Sequence, residues 1–436
     1  MSHSLSIVIL AAGKGSRMKS PTAKVLHRIC GREMLYYSIK AAREITDDVI
    51  VVIAHQKEAV KAAMERHFDG LSFVVQDAEN FPGTGGAMKG VSPKYDDVLV
   101  LNGDMPLITR GSIERFLANP ADIVMSVIPL DNPGGYGRVV IEEGQVLRIV
   151  EEKDATEAQK AINTVNAGVY AFKHHVLQNY IPRLSNDNAQ GEYYLTDVIE
   201  MARRDGLSIA PLYVAEEEFK GVNSKADLAH AEEIMMDRIR KTWMDAGVIM
   251  QLPQTVYIEE GVRFVGECVV ENGVRVCGES LIENSHLKAH SVIEDSSVRD
   301  SDVGPLAHLR PQSVLENTHV GNFVEVKKSR LRGVKAGHLS YLGDADIDEG
   351  TNIGAGTITC NYDGMKKYRT IIGKNVFVGS DTQLVAPVEI SDNVMIAAGT
   401  TVTAGKYESG ILLLSRTPVR KVAGFFAKFF GKGKEC

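Results

Sequence analysis

The chain has 436 residues, 44% of them hydrophobic, and a formal net charge of −7. That length and apolar content call for at least two hydrophobic cores. The negative balance argues against nucleic acid or an anionic membrane as the main partner and leaves small anions to local basic pockets. Five cysteines, Cys30, Cys268, Cys277, Cys360 and Cys436, show no metal-ligand spacing, and their odd number points to free thiols in a reducing cytoplasm.

The chain opens on an apolar run, 6–12. No basic residue precedes it and a glycine-rich turn follows, so it reads as a buried strand rather than a signal segment. Strands are expected at 5–10, 49–53, 72–75 and 98–101, alternating with helices at 35–44, 57–67 and 109–117. This alternation predicts a Rossmann-like α/β domain, with a parallel sheet covered by helices on both faces. Ligands in such folds gather at the C-terminal ends of the strands, here after Leu10, Val75 and Leu101.

The first such turn reads LAAGKGSRM. Gly13 and Gly15 allow the backbone to approach an anion closely, and Arg17 and Lys24 can reach the same charge. The spacing is neither a Walker A nor a dinucleotide fingerprint, because Met18 stands where the latter needs glycine. After Leu101 comes NGDMPL, where Asp104 at a strand end suits a hard cation such as Mg²⁺. Between them, QDAENFPGTGGAM places Gly83, Thr84 and Gly85 before a short helix, suited to face a base or ribose. Taken together these strings resemble the sugar-nucleotide pyrophosphorylases. The resemblance implies nucleotide contacts at Leu10, Ala11, Ala12, Gly13, Lys24, Gln76, Gly83 and Thr84. It implies sugar contacts at Gly137, Glu151 and Asn166, and a second Mg²⁺ ligand at Asn223. Asn102 and Gly86 depart from the family, which carries an aromatic and a histidine there, and the stretch from Gln76 to Gly83 is longer than its pattern.

A helix over 224–246, with Leu228, Ala231 and Met235 on one face, reads as the connection between two domains. From about Val256 the pattern changes to a hexapeptide repeat. Val378, Leu384, Ile390, Ile396 and Val402 stand six apart, with Val376, Thr382, Val388, Val394 and Thr400 two positions ahead. The same period joins Ile258, Phe264, Val270, Val276 and Ile282, then Val292 and Val298, then Val314, Val320 and Val326, with phase slips between runs. No α-helix repeats at six, and a three-walled parallel β-helix does. The expected domains are 1–223, a connecting helix 224–247, a β-helix 248–415 and a tail 416–436. An insertion at 359–368 should stand out from the coil.

Two coil segments, KAGHLSYLGDADI and NIGAGTITCNYDG, are too polar for plain solenoid, and GSDTQLVAP follows. With both halves in order, the chain resembles the bacterial bifunctional N-acetylglucosamine-1-phosphate uridyltransferases and glucosamine-1-phosphate N-acetyltransferases over nearly its whole length. The resemblance implies a left-handed parallel β-helix in a homotrimer, with acetyl-CoA and UTP as donors and Mg²⁺ as cofactor. The product would be a precursor for peptidoglycan and lipopolysaccharide.

Acetyl transfer to an amine needs a base, and His338 is suited to it because imidazole as a group titrates near neutral pH; Asp344 or another nearby carboxylate is expected to orient it. The resemblance implies sugar-phosphate contacts at Arg310, Lys327, Tyr341 and Asn352. It implies acetyl-CoA contacts at Ala355, Asn361, Tyr362, Ser380, Ala398 and Arg416. Arg17 and Lys24 are expected to act on the departing pyrophosphate. In the tail, Phe425, Phe426, Phe429 and Phe430 share a helical face, expected to pack on the coil or a neighbouring subunit rather than a membrane.

Overall fold

The computed structural model describes residues 4–430. It divides into two compact units, Met1–Asp237 and Arg238–Cys436, the division falling inside the helix Lys225–Asp245.

In the first unit the central strands run in the order Ser72–Val75, Asp48–Ile53, Leu5–Leu10, Asp97–Asn102, all parallel. The alternating side chains of Leu5–Leu10 are buried on both faces. Ile7 and Ile9 join Val49, Val51, Leu35 and Ile39 in one core. Val8 joins Ile50, Val52, Val98, Val176 and Val198 in the other. Each such aliphatic side chain contributes about 1.5–3 kcal/mol on full burial, which is why the strand is apolar except at Ser6, whose buried hydroxyl donates to Asp48 Oδ2.

The sheet is mixed rather than wholly parallel. Thr164–Lys173 lies antiparallel between Asp97–Asn102 and Ile123–Pro129, and Ile209–Tyr213 closes the edge in parallel with the latter. The strand–helix alternation stops at Ile123–Pro129. The chain then makes the hairpin Arg138–Glu142 and Gln145–Val150, and the helix Glu157–Lys160 that precedes Thr164 spans 4 residues.

The second unit is a three-walled parallel coil. Among the described residues its walls hold ten, nine and nine strands, and each strand pairs with the one three places ahead. The predicted inner ladder from Val378 to Val402 is buried, as is its companion from Val376 to Thr400. Rung length explains the upstream phase slips. Paired core residues Val378 and Ile396 are 18 apart, whereas Ile282 and Val298, or Leu287 and Val303, are 16 apart. Some rungs therefore span five residues. Val292 and Val314, expected on the inner ladder, turn outward, and their neighbours Ile293 and Leu315 fill the core. At shortened corners a buried serine satisfies a carbonyl two residues back: Ser285 Oγ donates to Glu283 O and Ser301 Oγ to Arg299 O, both at 2.6 Å.

The expected insertion begins slightly later than its predicted start, because Thr359 and Cys360 belong to the strand Ile358–Cys360 and Thr359 is 1% exposed. The loop proper is pinned by a bridge between Tyr362 and Lys367 and carries Met365 at its exposed tip. The described part of the tail includes a helix, Phe425–Phe430, on which Phe425 and Phe426 are exposed; the side chains of Phe429 and Phe430 lie outside the described residues.

Two candidate active sites

In the first unit, the turn after Leu10 is built around Lys24. Gly15 adopts φ +63° with its Cβ position 2.5 Å from Lys24 Cβ, so only glycine lets the turn close over that side chain. Buried Met18 anchors the turn beneath, and Gly103 N donates to Leu10 O at 2.9 Å, which brings the Asp104 turn alongside. The Lys24 ammonium is thereby held between the Asp104 carboxylate, in a close ion pair, and Asn223 Oδ1 at 2.8 Å. Asn223 is itself positioned by the start of the long helix. Its backbone N–H donates to Asp227 Oδ2 at 3.1 Å, and Ser224 and Asp227 cap each other reciprocally. Two hard oxygens thus converge on one cation. Arg17 stands exposed at the rim, on the short turn Ser16–Met18.

The sugar-contact candidates are also neighbours. Gly137 O accepts from Asn166 N at 2.9 Å, and a Cβ on Gly137 would lie 3.3 Å from Glu151 Oε2. Burial holds the Glu151 carboxyl above its ordinary range; a Thr196 hydroxyl bond opposes this, while Asp154 and Asp197 add to it. Asn166 is locked by Gly168 N at 2.9 Å and the Tyr170 hydroxyl at 2.6 Å. Asn102, in place of the aromatic expected there, donates to Gly168 O at 3.1 Å and so braces the strand where its pairing shifts register between Asn166 and Tyr170.

The longer loop after Val75 has its own support. Gln76 Nε2 donates to Phe81 O and Gly83 O at 2.9 and 3.0 Å, which commits that amide nitrogen to the loop. Thr84 Oγ1 accepts from Leu195 N at 3.1 Å, and Gly83 and Gly85 pack on the Tyr193 backbone. At Gly86 a Cβ would fall 2.0 Å from Phe81 O, so this loop leaves no room for the histidine expected there.

In the coil, His338 sits at a corner. Above it the same corner carries Ala355, Ser380 and Ala398, linked by Asp381 N to Ala355 O at 2.7 Å and Gly399 N to Ser380 O at 2.8 Å. These short side chains form a continuous edge on which a thin, extended chain can lie. Below it stands Asn322, whose Oδ1 is 2.9 Å from His338 Nδ1. The partner of the imidazole is thus an amide, not Asp344, whose carboxylate instead accepts from Asn361 Nδ2 and so fastens the base of the inserted loop.

On the adjoining wall three successive coils carry Arg310, then Glu325 and Lys327 together, then Tyr341, with Arg310 Nη1 2.9 Å from Glu325 Oε1. Lys367, at the foot of the inserted loop, faces Lys327. That ammonium, then partial burial and Arg310, lower the Lys327 pKa from the ordinary lysine value. Three cations gathered this way suit a phosphate. Lys367 and Asn322 were not picked out by sequence. The KK pair in the insert and the 16-residue interval from Asn322 to His338 are the signals that could have found them. Asn352 lies on another wall, two strands along from His319; Tyr362 is exposed on the insert, and Arg416 lies beyond the last strand.

No cluster of three or more His, Cys, Asp or Glu side chains able to hold a metal occurs among the described residues. A cation that keeps most of its waters needs no such cluster. No described helix is long and apolar enough to cross a membrane.

Comparison with known proteins covers both sites. A family model described as a MobA-like NTP transferase domain matches residues 7–166, and one for bacterial transferase hexapeptides (six repeats) matches residues 369–404. The chain is 64% identical over 430 residues to the Bifunctional protein GlmU of Sulfurimonas denitrificans, covering 99% of each chain. It is 63% identical over 430 residues to that of Wolinella succinogenes, covering 99% of this chain and 100% of the relative. To that of Campylobacter concisus it is 53% identical over 432 residues, covering 99% of each. With a Rossmann-like nucleotidyltransferase unit, a left-handed parallel β-helix and full-length identity of this order, the chain belongs to the GlmU family, the bifunctional N-acetylglucosamine-1-phosphate uridyltransferases and glucosamine-1-phosphate N-acetyltransferases.

Proposed function

We propose that the two activities divide between the two units, acetyl transfer in the coil and uridyl transfer in the α/β unit. The observation that supports this most directly is the pair of chemically different constellations, Lys24–Asp104–Asn223 in one unit and the His338 corner in the other.

In the coil, Arg310, Lys327 and Lys367 hold the phosphate of glucosamine 1-phosphate, with Tyr341 and Asn352 toward the ring. Acetyl-CoA lies along the edge of Ala355, Ser380 and Ala398, with Asn361, Tyr362 and Arg416 as further contacts. As the sugar amine attacks the thioester carbonyl, Nε2 of His338 takes its proton, the C–S bond breaks and the CoA sulfur departs.

In the α/β unit, the Leu10–Gly13 backbone and Gly15 meet the triphosphate of UTP, while Gln76, Gly83 and Thr84 face the nucleoside. Gly137, Glu151 and Asn166 hold N-acetylglucosamine 1-phosphate. A phosphate oxygen of that sugar attacks the α-phosphorus, the α–β bridging bond breaks and pyrophosphate leaves. Lys24 and Arg17 stabilise its charge, Lys24 exchanging its carboxylate partner for the triphosphate. Asp104 and Asn223 would hold Mg²⁺, and their two convergent oxygens fit it. When bound, it neutralises phosphate charge and aligns the reacting groups. The protein's main contribution is positioning.

We also propose a homotrimer in the cytoplasm. Phe377, Met395 and Leu412 stand in register on one wall, each about half exposed, and supply an apolar face for self-association.

A coupled assay tests the division. Glucosamine 1-phosphate, acetyl-CoA, UTP and Mg²⁺ are supplied together, and free thiol and pyrophosphate are read separately. Both should appear. Pyrophosphate that forms only when N-acetylglucosamine 1-phosphate is supplied would reduce the coil to a scaffold.

A further inference from the structure

We infer that Asn322 is a positioning residue for acetyl transfer, holding His338 in the tautomer whose Nε2 is unprotonated. The inference rests on the reading of His338 as the base.

The geometry is local and over-determined. Gly321, Asn322 and Phe323 lie one coil below Gly337, His338 and Leu339, with Asn322 and His338 in register. Both triplets turn the corner with a left-handed residue, φ +55° at Phe323 and +49° at Leu339, so their side chains leave the coil at equivalent points. Leu339 N donates to Asn322 O at 3.1 Å. A Cβ at Gly321 would fall 1.8 Å from Gly337 O, so glycine there lets the two corners stack this closely. A Cβ on Gly337 would meet nothing within 4 Å outside its chain neighbours, so the close stacking is required at Gly321 alone.

The chemistry follows from atom types. A neutral imidazole has one N–H and one lone pair. An amide oxygen can only accept, so at 2.9 Å from Asn322 Oδ1 the hydrogen is on Nδ1. The lone pair is then on Nε2, ready for a proton. A carboxylate at this position would orient the ring equally well but would also stabilise the imidazolium before the amine is bound. The amide orients without that charge.

The test uses the full-length enzyme with the two reactions assayed separately, at a pH well above the imidazole range. Asn322→Leu keeps the shape and removes the acceptor; Asn322→Asp keeps the acceptor. Asn322→Leu should lower kcat for acetyl transfer by about 10- to 100-fold, the range for partners that orient a functional histidine. KM for both substrates should stay within about twofold and uridyl transfer should be unchanged. Asn322→Asp should restore at least about a third of the lost kcat. Wild-type kcat in Asn322→Leu, or a loss that Asn322→Asp does not rescue and that appears as raised KM, would overturn the inference. His338→Ala, run in parallel, separates the failures: full activity there would remove the base itself, whatever Asn322 does.

Discussion

A methyl group on Gly15 would lie 2.5 Å from Cβ of Lys24. The turn that opens the nucleotide site is therefore shaped by one lysine side chain, at a backbone φ of +63° that side chains rarely adopt. Gly15→Ala should push Lys24 away from Asp104 and Asn223 and cost about 1 kcal/mol or more of stability from the backbone alone. Uridyl transfer should fall at least about tenfold, as expected for a misplaced stabilising group, with acetyl transfer unchanged. Separate assays of the two half-reactions check this.

Lys24 also competes with any cation for the Asp104 carboxylate. Lys24→Met should lower kcat for uridyl transfer by about 10²–10³, the usual range for losing one transition-state donor. The same variant, without nucleotide, should bind Mg²⁺ more tightly than wild type, because the ammonium no longer occupies the carboxylate. Calorimetric titration of the free protein reads the sign directly, and weaker Mg²⁺ binding would refute the competition.

Glu151 carries a pH signature. Its folded pKa is raised, chiefly by burial, so ionising it costs stability in the folded state. Stability is thus lost as pH rises from the ordinary carboxylate range through the folded pKa. Glu151→Gln should melt at the same temperature as wild type in acid and a few degrees higher at neutral pH, since about 1 kcal/mol moves Tm by roughly 2–4 °C for a unit the size of Met1–Asp237. It should also raise KM for N-acetylglucosamine 1-phosphate. A melting series against pH decides it.

Lys327 gives the opposite limb. Facing Lys367, it loses its proton at lower pH than an ordinary lysine, and with it one charge for the sugar phosphate. KM for glucosamine 1-phosphate should therefore rise on the alkaline side. Lys367→Met removes the opposing ammonium, so its KM should be higher overall but should begin its alkaline rise at higher pH. The KM–pH profiles of the two proteins distinguish this from a simple loss of charge.

Much of the architecture was legible before any coordinates. The alternation up to 109–117 named the four parallel central strands, because a strand covered by helices must be largely apolar; the short strands Arg28–Ile29 and Arg32–Glu33, with charged residues in both, carry no such pattern. The hexapeptide ladder named the coil, because a narrow core admits one aliphatic side chain per rung. The antiparallel strand Thr164–Lys173 was not legible, since strand direction depends on where the chain returns and not on its composition. Nor were the five-residue rungs that turn Val292 and Val314 outward, because buried Ile293 and Leu315 beside them fit a core equally well.

The sequence by itself determined the two cores, the two classes of chemistry and most of the residues proposed for them, because phosphate, metal and proton transfer each demand particular side chains in particular strings. Only the tertiary structure decided which side chains meet. Asp104 and Asn223 are 119 positions apart, yet one ammonium binds both. His338 was paired with an amide one coil below instead of the carboxylate nearest in sequence, and Lys367 came to Lys327 from the far end of an insertion. Hydrogen bonds and Coulomb interactions act over a few ångströms of space, and a coil that returns after 16 to 18 residues on most turns, and after 25 where the insertion lies, makes neighbours of residues that sequence keeps apart.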